Sequence, residues 1–186
     1  MEGSTERKEH RSGRCLRSEP EGLYIILKKR EVERAFKQVG CWNFCEKIQG
    51  GHAQITKEFA LNFTGLNSKV GILELQISPE VISTVTKIPR GQERWFKNFK
   101  FDMTPCKEFL KPKFIDSDLN KFVPRNFVKD SYANLLTCIQ RYFICEGRYH
   151  KVYSRHFNLL LHFTENISLD LPFYLFCSLG KMCDKV

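Results

Sequence analysis

The chain has 186 residues, 42% of them hydrophobic and 13% aromatic, with 16 phenylalanines. That supply of apolar side chains is ample for a packed core and excludes a chain disordered throughout. Thirty Lys and Arg against 21 Asp and Glu leave a net charge of +9. Such a balance favours polyanions or an anionic surface by long-range attraction, and it serves ordinary solubility equally well, because the cations are spread along the chain.

Residues 1–22 hold five cations (Arg7, Lys8, Arg11, Arg14, Arg17) against five glutamates and one notable aliphatic residue, Leu16. The segment reads as a disordered polar tail, too polar for a secretory leader. No run of about eighteen apolar residues is present to span a bilayer, so no membrane partner is expected. The eight cysteines are Cys15, Cys41, Cys45, Cys106, Cys138, Cys145, Cys177 and Cys183. Most fall inside apolar helical patterns, which reads as reduced, buried thiols in an intracellular protein.

From Glu31 a helical pattern runs through Val32, Ala35, Phe36 and Val39, then Trp42 and Cys45, with Gly40 as a bend or break. Cys41 and Cys45 lie four apart on one face, but no second pair at ligand spacing completes a tetrahedral set, so no metal is expected. Gln49-Gly50-Gly51 is a turn. A second helix is expected over about His52 to Phe63, with Ile55, Phe59 and Phe63 on its buried stripe.

Leu73, Leu75 and Ile77 alternate with Glu74 and Gln76, the period-two pattern of a strand with one buried face. The strand is expected over Val70–Ile77, and residues around Phe63 to Asn67 are placed to supply its hairpin partner. Ser78 suits a helix cap and Pro79 the first helical position. Val81, Val85 and Ile88 share a face of the short helix that follows, and Pro89 and Gly91 end it.

Next comes RGQERWFKNFKF. Lys87 to Lys113 carries eight Lys and Arg against three acids, an excess of five. Trp95, Phe96, Phe99 and Phe101 interleave with those cations. Stacking rings among phosphate-binding cations hold single-stranded nucleic acid without sequence readout. The competing reading is an amphipathic segment whose rings pack inward while its lysines face water.

Pro105 to Pro124 reads as an irregular linker between sub-halves at about 23–104 and 124–186. Asp102, Asp116 and Asp118 sit without strand patterns and do not make a nuclease-like carboxylate set. A helix follows, capped by Asn126 or Asp130 and running to about Cys145, with Leu135, Leu136, Ile139 and Phe143 among its apolar residues. A further helix is expected over Tyr149 to Phe163. Its histidines, His150, His156 and His162, are six apart and cannot share a helical face. Leu169 to Leu179 makes a last helix with Pro172 in its first turn.

Three blocks, CWNFCEKIQGGHAQITKEFALNF, ELQISPEVISTVTKIPRG and RYFICEGRYHKVYSRHFNLLLHFTENISLDLPFYLFCSLGKM, resemble the plant transposon protein domain family of retroelement-associated plant proteins. The strand–SPE–helix–Pro piece is also similar to a connection in plant mobile domain proteins. The similarity covers about Glu31 to Met182. It implies a mainly α-helical domain of mobile-element origin with a small β-hairpin, and it implies no catalytic residues. The acid-rich segment that commonly follows the short helix is replaced here by the basic aromatic run. The chain stops just after the LPF helix, where relatives usually continue, so a C-terminally truncated copy is expected.

The fold expected is thus a single mainly α domain over 23–186 with an antiparallel hairpin near residues 65–77. The leading functional expectation is a non-catalytic nuclear module that binds nucleic acid through Arg90, Arg94, Trp95, Lys97, Phe99 and Lys100. Its alternatives are a protein-interaction or scaffold module and a degenerate fragment without activity. A third class, a thiol- or metal-dependent enzyme built on Cys145, His150 and His156, lacks an orienting third group. No cofactor or metal is expected.

Overall fold

The computed structural model describes residues 25–48, 51–92, 104–114, 122–144, 150–165 and 169–183. The polar tail expected over 1–22 lies outside them. The chain is mainly α-helical, with small antiparallel ribbons. Its core is built by four helices and one tight turn that are distant in sequence.

Helix α1 (Arg30–Gln38) turns Val32, Ala35 and Phe36 inward, which is the apolar stripe its spacing gives. Glu31 and Glu33 lie in its first turn and Lys37 in its last, as the helix dipole favours. Gly40 stops it at φ 73°, and a Cβ there would meet the Pro89 ring at 2.8 Å. Helix α2 (Trp42–Lys47) then buries Trp42 and Cys45.

Downstream, helix α5 (Asp130–Ile139) buries Leu135, Leu136, Cys138 and Ile139. It widens into a π-helical turn at Gln140–Ile144. Helix α6 (Ser154–Glu165) is buried along most of its length, and α7 (Leu171–Cys183) closes the fold. Phe36, Phe143 and Phe163 come together from α1, the π-turn and α6, with ring centroids 4.9 to 6.1 Å apart. Their tilted packing suits the aromatic quadrupole better than a flat sandwich.

The segment expected as an irregular linker contributes to this core. Thr104–Phe109 forms a 3₁₀ turn that inserts Phe109, fully buried, edge-on against Tyr132 and stacked on Phe157. Leu110 bridges to Val128. Strand β3 (Val123–Pro124) pairs with β4 (Lys151–Val152). That pairing takes residues 151–152 out of the helix expected from Tyr149, so α6 starts at Ser154.

Between the two halves sits an outlying unit. Helix α3 (Ala53–Leu61) is followed by β1 (Asn67–Val70), β2 (Leu73–Gln76) and helix α4 (Pro79–Thr86). The hairpin falls within residues 65–77 as expected, but its first strand is Asn67–Val70 rather than residues 63–67, so Val70 pairs with Leu73 instead of sharing its strand. Ser78 Oγ accepts the Val81 N–H at 3.2 Å and Pro79 opens α4, as expected. Two finer expectations fail. Neither α3 nor α4 buries a residue, and all four residues of β2 are exposed. The stripes are apolar by spacing, but Ile55, Leu73 and Leu75 stay exposed and Phe59 and Phe63 only half-buried.

Candidate interaction surface

Eight of the ten exposed large apolar side chains among the described residues lie between Ile55 and Val85. Ile72 at the hairpin tip is 95% accessible, Val85 76%, Leu73 62% and Leu75 37%. Exposed single apolar side chains are ordinary; here eight fall on one 31-residue stretch.

The hairpin is held firmly on one side only. Gly71, at φ 58°, supplies the positive φ of a glycine-first two-residue turn. Its N–H donates to Glu58 Oε1 of α3 at 2.7 Å. Ser68 Oγ donates to Phe59 O at 2.7 Å. The two-residue turn makes Val70 and Leu73 a hydrogen-bonded pair, as are Ser68 and Leu75 two residues on. The Ile77 N–H to Leu66 O bond, 2.7 Å, continues that ladder. The alternate residues therefore aim their backbone groups outward: Asn67 and Lys69 on β1, Glu74 and Gln76 on β2.

The outward carbonyls of β1 are satisfied. Lys69 O accepts from Asn62 Nδ2 at 2.8 Å, and Asn67 O accepts from the Thr64 N–H at 2.8 Å and from Thr64 Oγ1 at 3.2 Å. Glu74 and Gln76 bond to nothing outside the hairpin. A cavity of about 440 Å³ lies against the hairpin, lined from both strands and the α3–β1 loop by Asn62, Thr64, Asn67, Lys69, Glu74 and Gln76 among others. So the outward carbonyls of β1 are capped by Asn62 and Thr64, while β2 is an exposed sheet edge. The sequence carries a signal for this: one hairpin with no third strand pattern nearby must leave an edge.

Of the residues expected to hold nucleic acid, only Arg90 is described. Arg94, Trp95, Lys97, Phe99 and Lys100 lie outside the described residues. The Arg90 guanidinium, 28% exposed, donates from Nε to Asp170 Oδ1 at 2.9 Å and from Nη2 to Asp170 Oδ2 at 2.7 Å. Its Nη1 reaches Glu80 of α4. The hydrogen bonds that Arg90 donates to Asp170 push its pKa up; burial, the next largest effect, lowers it, and the bond donated to Glu80 adds a smaller rise. Asp170 Oδ1 also accepts the Phe173 N–H at 3.1 Å, satisfying a donor in the first turn of α7. Gly91 follows, so close to Leu169 that a Cβ would fall 2.3 Å from its carbonyl carbon. Arg90 and Gly91 thus lock the end of α4 to the start of α7.

A second polar cluster is buried in the C-terminal half. Arg125 donates to Gln140 Oε1 at 2.7 Å and to Ala133 O at 2.8 Å, and also reaches Thr137 Oγ1. Gln140 Nε2 donates to His156 Nδ1 at 3.1 Å, and the Tyr153 N–H donates to the same nitrogen at 3.3 Å. With Nδ1 accepting, the imidazole proton is on Nε2, which is buried without a partner. Burial first, then the charges of Arg155 and Arg125, lower the His156 pKa to about 3. The cluster aligns the π-turn with α6. His156 is buried and His150 exposed, while Cys145 lies outside the described residues.

The buried thiols are packing groups. Cys41, Cys45 and Cys138 are free and buried, and burial, then the Cys45 charge, pushes Cys138 up to about 12. Among the described residues no three His, Cys, Asp or Glu side chains gather closely enough to hold a metal ion. No helix among them is long and apolar enough to cross a membrane.

No family model, curated protein or solved structure matches the chain.

Proposed function

We propose that this chain is a non-catalytic protein-interaction module: a helical core that presents the α3–hairpin–α4 unit to another polypeptide. The observation that carries this reading is the concentration of eight exposed apolar side chains on that unit, beside an open strand edge. Apolar surface of this kind gains about 25 cal/mol for each Å² removed from water. Polar substitution of Ile72, Leu73 and Val85 together should abolish binding while leaving the helical circular-dichroism signal unchanged. The test is affinity capture with the wild type and the triple variant. Identical sets of recovered proteins would contradict the reading.

Nucleic-acid binding by the basic aromatic run is a second reading. It is favoured by the anchoring of both flanks of that run, at Arg90–Gly91 and at Phe109. Phosphate contacts would come from Arg94, Lys97 and Lys100 and stacking from Trp95 and Phe99, with Arg90 serving mainly as the anchor. Filter binding against salt tests it: the affinity should fall steeply as salt rises, and a flat profile would contradict it. Origin in a plant mobile element, and a nuclear location, rest on the sequence blocks and the basic composition.

A further inference from the structure

The free edge of β2 has a register that fits its own copy. We infer that two copies of this chain pair through β2, antiparallel and about a two-fold axis, to form a continuous four-stranded sheet. Self-pairing rests on the interaction-module reading of the same face and names its occupant.

Backbone hydrogen bonding selects the register. On β2 the outward-facing groups belong to Glu74 and Gln76, two residues apart. Antiparallel pairing forms bonds only between outward residues of both strands. Three two-fold registers are available. Centring on Glu74 sets two carboxylates directly opposite each other, which is destabilising. Centring on Gln76 brings Glu74 opposite Ser78, whose side chain already caps α4. Centring on Leu75 places Glu74 opposite Gln76 of the second copy on both sides of the axis. All four outward N–H groups and carbonyls are then satisfied in about four bonds.

The side chains agree with that choice. In the Leu75-centred register each carboxylate faces a carboxamide, which can donate to it. The two Leu75 side chains meet in the close, non-hydrogen-bonded position, and Leu73 lies opposite Ile77 of the other copy. Leu73, Leu75 and Ile77 share one face of the strand, so the pair forms one apolar strip from residues exposed (Leu73, Leu75) or half-buried (Ile77) in the single chain. An unprotected edge usually carries a lysine, a proline or a bulge to prevent such pairing. The β2 sequence, Leu-Glu-Leu-Gln, has none of these; its one edge charge, Glu74, is set against a carboxamide in this register.

The test uses the full chain. Analytical ultracentrifugation over a wide concentration range should show a reversible monomer–dimer equilibrium. Glu74→Pro removes two of the four intermolecular donors without touching a hairpin bond, and it should raise the dimer dissociation constant at least about tenfold. Register is read by disulfide trapping. Leu75→Cys places two thiols across the axis at a Cα separation of about 4.5–5.5 Å, within disulfide range, and should trap a covalent dimer above the wild-type background. Leu73→Cys puts its two thiols four residues apart along the strands, beyond reach, and should not. A wild type that stays monomeric throughout, or equal trapping at both positions, would overturn the proposal. A monomer that nonetheless captures a partner through Ile72, Leu73 and Val85 would sink self-pairing alone and leave the interaction module standing.

Discussion

Arg90 and Asp170 stand 80 residues apart in sequence and form a two-pronged ion pair, with Nε–Oδ1 at 2.9 Å and Nη2–Oδ2 at 2.7 Å. The carboxylate is fully buried and also caps the first turn of α7 through the Phe173 N–H. One side chain therefore fixes where the outlying α3–hairpin–α4 unit joins the core and where the last helix begins.

Loss of Asp170 should be costly from both sides. Asp170→Ala leaves a partly buried guanidinium without its main partner and removes the cap. A destabilisation of about 3–5 kcal/mol is expected in urea unfolding. Glu80→Ala should change stability far less than Asp170→Ala, because that carboxylate faces solvent.

Two glycines should resist any side chain. Gly91→Ala drives a Cβ to 2.3 Å from Leu169 C and 2.6 Å from Asp170 N, both backbone atoms that cannot rotate aside. Gly40→Ala combines a positive φ with a 2.8 Å approach to the Pro89 ring. Each should lower stability by about 2–4 kcal/mol, whereas Gly180→Ala, with nothing within 4 Å, should not lower it. Thermal melts of the three variants make the comparison.

Phe109→Ala separates a linker from a core element. Its ring is fully buried against Tyr132 and Phe157, so the truncation should cost about 3–5 kcal/mol, as for any large core ring. A cost below about 1 kcal/mol would show that residues 104–110 are dispensable to the fold.

Acid should unfold the chain through its buried histidines. His156 and His162 are lowered by burial from 6.5 to about 3 and about 4. Both are neutral in the folded state near neutral pH, and the unfolded chain binds the extra protons. Their stabilisation is complete above about pH 6.5 and declines as the pH falls toward the folded values. Each histidine contributes a slope of up to about 1.4 kcal/mol per pH unit within that window. Urea unfolding at about pH 7 and about pH 5 should differ by about 2–4 kcal/mol, and His156→Gln should flatten the dependence.

Local chemistry was legible in the sequence, and long-range covering was not. The Val32–Ala35–Phe36 stripe, the Ser78 cap, the Gly40 stop and the first-turn Pro172 each depend on neighbours within a few residues, and the structure places all four as expected. The Leu73–Leu75 alternation correctly gave a strand. It could not say whether another layer would cover that strand, because period measures amphipathicity and not burial. Phe109 was read with the prolines around it as linker, since a single aromatic in a 3₁₀ turn has no periodicity. The Arg90–Asp170 pair, linking two segments 80 residues apart, has no local signal at all.

Hydrogen exchange resolved to single amides, measured at low and high protein concentration, tests the central claim most directly. The Glu74 and Gln76 amides should exchange freely when the chain is dilute and become protected as concentration rises, while Leu73 and Leu75, already bonded within the hairpin, should change little. Equal, rapid exchange of Glu74 and Gln76 at every concentration would contradict it.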